Sequence, residues 1–168
     1  MNQKELKDLY ARHAKDLYHF LLAIAPNELE VHDLLQDIFV KLARQPKGLQ
    51  GIRHERNYLF RICQNLVIDR VRSLHIRKTH DEALQCSPPR FSNSADPDTS
   101  LFRESLHSAL QNLPLNQRTA VHLKLWQGWT FEEIAALESI STHTAASRYR
   151  YALAKLRVSL KPLYDEIR

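Results

Sequence analysis

Thr130-Phe-Glu-Glu-Ile-Ala-Ala-Leu-Glu-Ser-Ile-Ser-Thr-His-Thr-Ala-Ala-Ser-Arg-Tyr-Arg150 decides the fold class of this 168-residue chain. The stretch opens on a capping box, in which the Thr130 hydroxyl and the Glu133 carboxylate each satisfy an exposed backbone donor at a helix start. A short helix over residues 131–137 ends at Glu138-Ser139-Ile140, and Ser141 caps a long helix that runs to about residue 161. Short helix, tight turn and long helix make a helix-turn-helix. On the long helix, Ala145, Tyr149, Ala152 and Leu156 fall within a narrow arc and face inward. His143, Ser147, Arg150 and Ala154 stand opposite, flanked by Tyr151 and Arg157. Residues 142–161 hold five Lys or Arg and no carboxylate, so the outward face offers the cations and hydrogen-bonding groups that a major-groove helix needs.

Working upstream, Gly128 stands where a left-handed cap closes a helix over about 116–127. Pro114 separates this helix from another over 101–113, whose Phe102, Leu106, Ala109, Leu110 and Leu113 share a face. Residues 79–100 contain three prolines and many small polar residues, with one cation against four carboxylates, and form an acidic, flexible linker. The first 78 residues carry fourteen cations against nine carboxylates, and residues 101–168 carry nine against six. Two basic lobes flank an acidic tether.

In the first lobe, Leu6, Leu9, Tyr10, His13, Leu17, Phe20, Leu21 and Ile24 recur at helical spacing, and Pro26-Asn27 stops that helix. A second helix, about 28–45, buries Val31, Leu34, Leu35, Ile38, Phe39 and Leu42 and exposes Asp33, Gln36, Asp37 and Lys41. After the loop QPKGLQG (45–51), a third helix over about 55–74 buries Tyr58, Leu59, Ile62, Leu66, Cys63 and Val71. This third helix and its lead-in are rich in arginine, with Tyr58 and Phe60 interleaved. Cations for phosphates and aromatic rings for unstacked bases are the ingredients of single-strand binding.

Composition narrows the function further. Three glycines leave no material for a glycine-rich phosphate loop or a strand-and-turn architecture, and nine scattered histidines show no metal-binding spacing. No catalytic residue, metal or cofactor is expected. Two cysteines, Cys63 and Cys86, in segments of different character argue for a reducing compartment. With no apolar leader and no long apolar run, the chain is expected to be cytoplasmic and not membrane-inserted.

Several motifs now carry a resemblance. Glu30-Val-His-Asp-Leu-Leu-Gln-Asp-Ile-Phe39 resembles the core-polymerase-binding motif of bacterial sigma factors, and Tyr58-Leu-Phe-Arg-Ile-Cys-Gln-Asn-Leu-Val-Ile-Asp-Arg70 is similar to their promoter-melting helix. Leu113-Pro-Leu-Asn-Gln-Arg118, Glu133-Ile-Ala135 and the run from Ser141 to Arg148 resemble the domain that reads the upstream promoter element. The short two-lobe layout resembles the extracytoplasmic-function (ECF) subgroup. That resemblance implies an all-α protein with two small helical domains, 1–78 (sigma region 2-like) and 101–168 (sigma region 4-like), joined by the linker 79–100.

The resemblance further implies docking on core RNA polymerase through Asp33, Gln36, Asp37 and Phe39. It implies minus-ten promoter contacts by Lys47, Arg53, His54, Tyr58, Arg61, Asn65, Arg70 and Arg72. Minus-thirty-five contacts follow in the same way for His143, Thr144, Ser147, Arg148, Arg150 and Tyr151. Core RNA polymerase, promoter DNA and an anti-sigma factor are the implied partners. Departures from the family pattern are Tyr58 for tryptophan, Ser139 for a turn glycine, and Ala145-Ala146 where valine and a basic residue are usual, which is expected to remove one DNA contact. Two other readings remain at this point: a helix-turn-helix regulator that recruits no polymerase, and a sigma-like decoy for an anti-sigma factor.

Overall fold

A computed structural model of the chain describes residues 2–45, 49–78 and 97–166. The described residues form seven α-helices and divide into two compact units, Met1–Pro88 and Pro89–Arg168. The first holds α1 (Gln3–Ile24), α2 (Val31–Arg44) and α3 (Glu55–Lys78). The second holds α4 (Pro97–Gln111), α5 (Leu115–Leu125), α6 (Phe131–Glu138) and α7 (Thr142–Glu166).

α1 starts on a capping box that pairs Asn2 with Glu5 in both directions, at 2.7 and 2.9 Å. It stops at Ala25, whose extended backbone is what a following proline imposes. A 3-10 turn, Glu28–Glu30, leads into α2 with the Asn27 side chain accepting from the Leu29 N–H. All six α2 residues expected in the core are buried, against Leu9, Leu17, Phe20, Leu21 and Ile24 of α1.

The sequence places Leu59 and Cys63 of α3 in the core correctly but misses Phe60 and Val67. Leu59, Phe60, Cys63 and Val67 are the fully buried residues, whereas Tyr58, Ile62 and Leu66 are half-buried and Val71 is exposed. The reason is that α3 packs on both α1 and α2. A helix gripped from two sides has apolar residues over a wide arc, and its 3.6 periodicity no longer picks out one face. Phe60 is therefore a core residue, with its ring 4.8 Å from that of Phe20, and is not available for base stacking.

In the second unit, α4 begins four residues inside the stretch expected to be linker. Pro97 suits the first helical position because the N–H it lacks would have no intrahelical partner there. Residues 79–96, the remainder of that expected linker, lie outside the described residues. The core packs Ala109, Leu113, Val121, Ala152 and Leu156 together, with Leu110, Tyr149 and Leu160 against them. Arg118 reaches back from α5 to the carbonyl oxygens of Gln111 and Leu113 at 2.9 and 3.0 Å, capping the end of α4. Burial lowers its pKa, but a guanidinium stays charged across the physiological range.

The helix-turn-helix forms as expected. Gly128 has φ +68° and turns the chain so that Trp129 is buried. The Thr130–Glu133 capping box closes at 3.2 and 2.8 Å. Ser141 Oγ accepts the Thr144 N–H at 3.1 Å and starts α7. α7 outruns its expected end by one turn, continuing past Pro162, whose lost hydrogen bond is the only one removed from so short an extension.

Candidate functional site

On α7, Ala145 and Ala152 are fully buried and Leu156 nearly so, so the helix presents the opposite face outward, as its spacing predicted. Ala145 is thus a packing residue, and the valine usual at that place would also face the core rather than DNA. Thr142, His143, Arg150 and Tyr151 are exposed, and Ala146 and Ser147 are half-buried. Arg150 Nη2 donates to Ser147 Oγ at 3.3 Å, which places the guanidinium along the outward face. Thr144 is half-buried and belongs to the cap, its hydroxyl 2.8 Å from Ser141 Oγ.

Arg148 differs from Arg150. Its Nη1 lies 2.6 Å from Glu138 Oε2, and the Glu138 side chain is 4% exposed. A carboxylate so deeply placed needs its partner, since burying an unpaired charge is costly. Arg148 therefore clasps the end of α6 onto α7, and in this structure its charge is committed to the protein interior. Between the two helices, Ser139 adopts φ 55° and ψ 45°, the left-handed conformation that glycine fills in the usual pattern.

On α2 of the first unit, Asp33, Gln36 and Asp37 are exposed and run along one side of the helix. Phe39 does not join them. It is 7% exposed, and the Tyr10 ring of α1 lies over it at 4.8 Å. Its helical position faces α1, in keeping with its place in the apolar pattern of the helix, so it lies beneath the exposed row with which the resemblance groups it.

The residues implied for minus-ten DNA fall into three groups. Arg53, His54, Arg61, Asn65 and Arg72 are exposed on α3 and its lead-in, Arg72 lying 3.9 Å from Asp69. Tyr58 is half-buried, its hydroxyl accepting from Gln45 Nε2 at 3.0 Å. Arg70 points back to α2, with Nε 2.5 Å from Glu30 Oε2. Glu30 first, then Asp33 and Asp37, raise the Arg70 pKa, so this cation sits in the field of the acidic row. Lys47 lies outside the described residues. The lead-in to α3 is anchored by Glu55 Oε1, which meets Arg12 Nη1 at 2.8 Å and His13 Nε2 at 2.7 Å.

Sequence reading missed Tyr10, Glu30 and Glu138 as members of these surfaces. The last two had a usable signal only in their charge, since their partners lie 40 and 10 residues away. Among the described residues no cluster of His, Cys, Asp or Glu is arranged to hold a metal, and no helix is long and apolar enough to cross a membrane.

Comparison with known proteins matches these two units one by one. The Sigma-70 region 2 model matches residues 9–75, and the Sigma-70, region 4 model matches residues 103–156. RNA polymerase sigma factor CarQ of Myxococcus xanthus is 33% identical over 165 residues, covering 98% of this chain and 94% of CarQ. The ECF RNA polymerase sigma factor SigL of Mycobacterium tuberculosis is 26% identical over 159 residues, covering 94% and 90%. The sigma factor RpoE, solved in complex with the anti-sigma factor NepR from Bartonella quintana, shares the fold with a TM-score of 0.75 at 22% identity, covering 94% of this chain and 98% of RpoE. With both family regions matched in order and a sigma factor aligned almost end to end, the chain belongs to the sigma-70 family of RNA polymerase sigma factors, in its ECF group.

Proposed function

We propose that this sigma factor divides promoter recognition between its two units, with 1–78 docking on core RNA polymerase and opening the minus-ten region and 101–168 reading the minus-thirty-five element. The observation that carries the reading is the outward stripe of α7. His143, Arg150 and Tyr151 are exposed on a capped helix whose first five turns contain no carboxylate. Such a helix end suits base edges in the major groove. Arg150 is the base-reading arginine of this pair, and Arg148 is the clasp that aims it.

Docking is assigned to Asp33, Gln36 and Asp37, where exposed carboxylates suit a cationic surface. Strand opening is assigned to Arg53, His54, Arg61, Asn65 and Arg72, which hold backbone phosphates while the loop before α3 takes up a flipped base. Flipping costs a few kcal/mol, offset by a snug pocket and stacking. The chain itself catalyses no reaction; the polymerase it recruits does. It works in the cytoplasm, where an anti-sigma factor is its negative regulator.

Two substitutions test the division. Arg150→Ala is expected to cost roughly 1–3 kcal/mol of promoter binding and to relax sequence preference at one upstream position, read from a profile of randomised promoters. An unchanged profile overturns the upstream assignment. Asp37→Lys is expected to abolish pull-down of core polymerase, and retention of binding removes the docking assignment.

A further inference from the structure

His13 holds a place in α1 that an apolar residue would ordinarily fill. It stands four residues after Leu9 and four before Leu17, both fully buried, so the three share one face of the helix. A polar ring on such a face needs a hydrogen-bond partner. The partner comes from 42 residues along the chain, where Glu55 Oε1 lies 2.7 Å from His13 Nε2. Because a carboxylate only accepts, the imidazole nitrogen donates. The His13 side chain is 15% exposed and that of Glu55 30%. Arg12 Nη1 meets the same oxygen at 2.8 Å while its Nε donates to the Asp8 carbonyl at 3.3 Å, so both donors are fixed to α1.

Glu55 is the first residue of α3. Just before it, the His54 carbonyl accepts the Tyr58 N–H at 3.1 Å and begins the helical ladder. Further upstream, the Ile52 N–H donates to the Leu49 carbonyl at 3.1 Å across a turn in which Gly51 has φ +85°, a conformation that favours glycine. Arg53 and His54 are exposed between this turn and Glu55, so their direction follows from where the first turn of α3 stands. The bond from Gln45 to the Tyr58 hydroxyl joins the flanks of the segment to each other, whereas the bond from His13 to Glu55 joins it to α1.

On the reading that the segment before α3 takes up a minus-ten base, we infer that Glu55 is a positioning residue for minus-ten recognition. Held by His13, and secondarily by Arg12, it sets the stance of Arg53 and His54 toward the unpaired strand without touching DNA itself. Its charge fits this role. A carboxylate facing phosphates opposes binding, and the Glu55 oxygen is instead turned to α1 and shared by two donors. Contacts to phosphates position a protein, whereas contacts to bases specify sequence. Hydrogen bonds to base edges weaken steeply with misalignment, so a shifted first turn of α3 is felt as lost discrimination more than as lost affinity.

The test reconstitutes the full chain with purified core RNA polymerase and profiles transcription from promoters randomised across the minus-ten element. Glu55→Met keeps the side-chain length and removes the acceptor. It is expected to lower base discrimination at a minus-ten position at least about five-fold, the least that loss of a base contact brings, with core-polymerase affinity and the minus-thirty-five profile unchanged. Glu55→Ala, measured beside it, is expected to behave alike. His13→Phe fills the apolar place in α1 without the donor and is expected to give the same flattening, and the double variant Glu55→Met/His13→Phe is expected to be no flatter than either single one, because both act through one contact. Glu55→Gln still accepts the His13 N–H and loses only the exposed ion pair with Arg12, so it is expected to stay within about two-fold of the parent chain. A profile for Glu55→Gln as flat as that of Glu55→Met, or losses that add in the double variant, overturns the inference. Flattening by Glu55→Met with a parental profile for His13→Phe also overturns it, since Glu55 would then act by touching DNA. If Arg53→Ala/His54→Ala flattens the minus-ten profile while Glu55→Met and His13→Phe leave it parental, the positioning role is overturned and the reading of the segment stands. If Arg53→Ala/His54→Ala leaves the profile unchanged, that reading fails and the inference falls with it.

Discussion

Glu138 stands ten positions from its partner in the chain and has almost no solvent around it, which makes it a sensitive probe of how the reading helix is held. Glu138→Gln keeps the shape and removes the charge facing Arg148. Hydrogen bonds to charged groups contribute about 1.5–3 kcal/mol, so the second unit is expected to lose roughly 2 kcal/mol of stability. Both tryptophans of the chain, Trp126 and Trp129, lie in that unit, and urea titration followed by their fluorescence reads it directly. A loss below about 0.5 kcal/mol would show that the clasp is a surface pair of the weak kind. At this scale the sequence is informative about which residues are charged and silent about which charges are spent. Arg148 and Arg150 look alike in the sequence, and only the fold sends one to Glu138 and the other outward. Arg70 is likewise drawn to Glu30 across 40 residues.

Helices were legible where local chemistry sets them. The Thr130–Glu133 box, the Ser141 cap and Gly128 act within four residues of themselves, and each forms as the spacing predicted. The buried face of α3 was legible only in Leu59 and Cys63, because two neighbouring helices rather than one decide which side of it is inside. The turn between α6 and α7 shows a further limit: Ser139 gives no sign in the sequence of its backbone, while its position in the motif does. A left-handed serine is strained by an amount that glycine avoids, partly offset by the greater freedom of glycine in the unfolded chain. Ser139→Gly is accordingly expected to stabilise the second unit by about 0.5–1 kcal/mol, raising its fluorescence-detected melting temperature by several degrees. A valine at the same place, branched at Cβ, is expected to lower it.

At the scale of the molecule, the two units carry separate cores, and separate probes report on them. Cys63 is buried in the first, and burial pushes its thiol pKa far above the ordinary range. The unfolded chain releases that proton near pH 8.5, whereas the native unit keeps it. Stability from this source is therefore complete below about pH 8.5 and declines as pH rises above it, by up to about 1.4 kcal/mol per pH unit. Raising the pH from 8 to 10 is expected to shift the circular-dichroism transition of the first unit downward more in the parent chain than in Cys63→Ala. The tryptophan transition of the second unit is expected to be equal in the two, and an equal circular-dichroism shift would count against the thiol. The pairing of Glu138 with Arg148 also bears on how promoter choice can be re-engineered. A recognition helix grafted from a relative brings its own arginine but leaves the matching carboxylate behind on α6, so a transplant that stops at Ser141 mispoints the reader. The portable module of this protein begins before the turn, and the smallest segment that can be exchanged with its aim preserved runs from Thr130 through the end of α7.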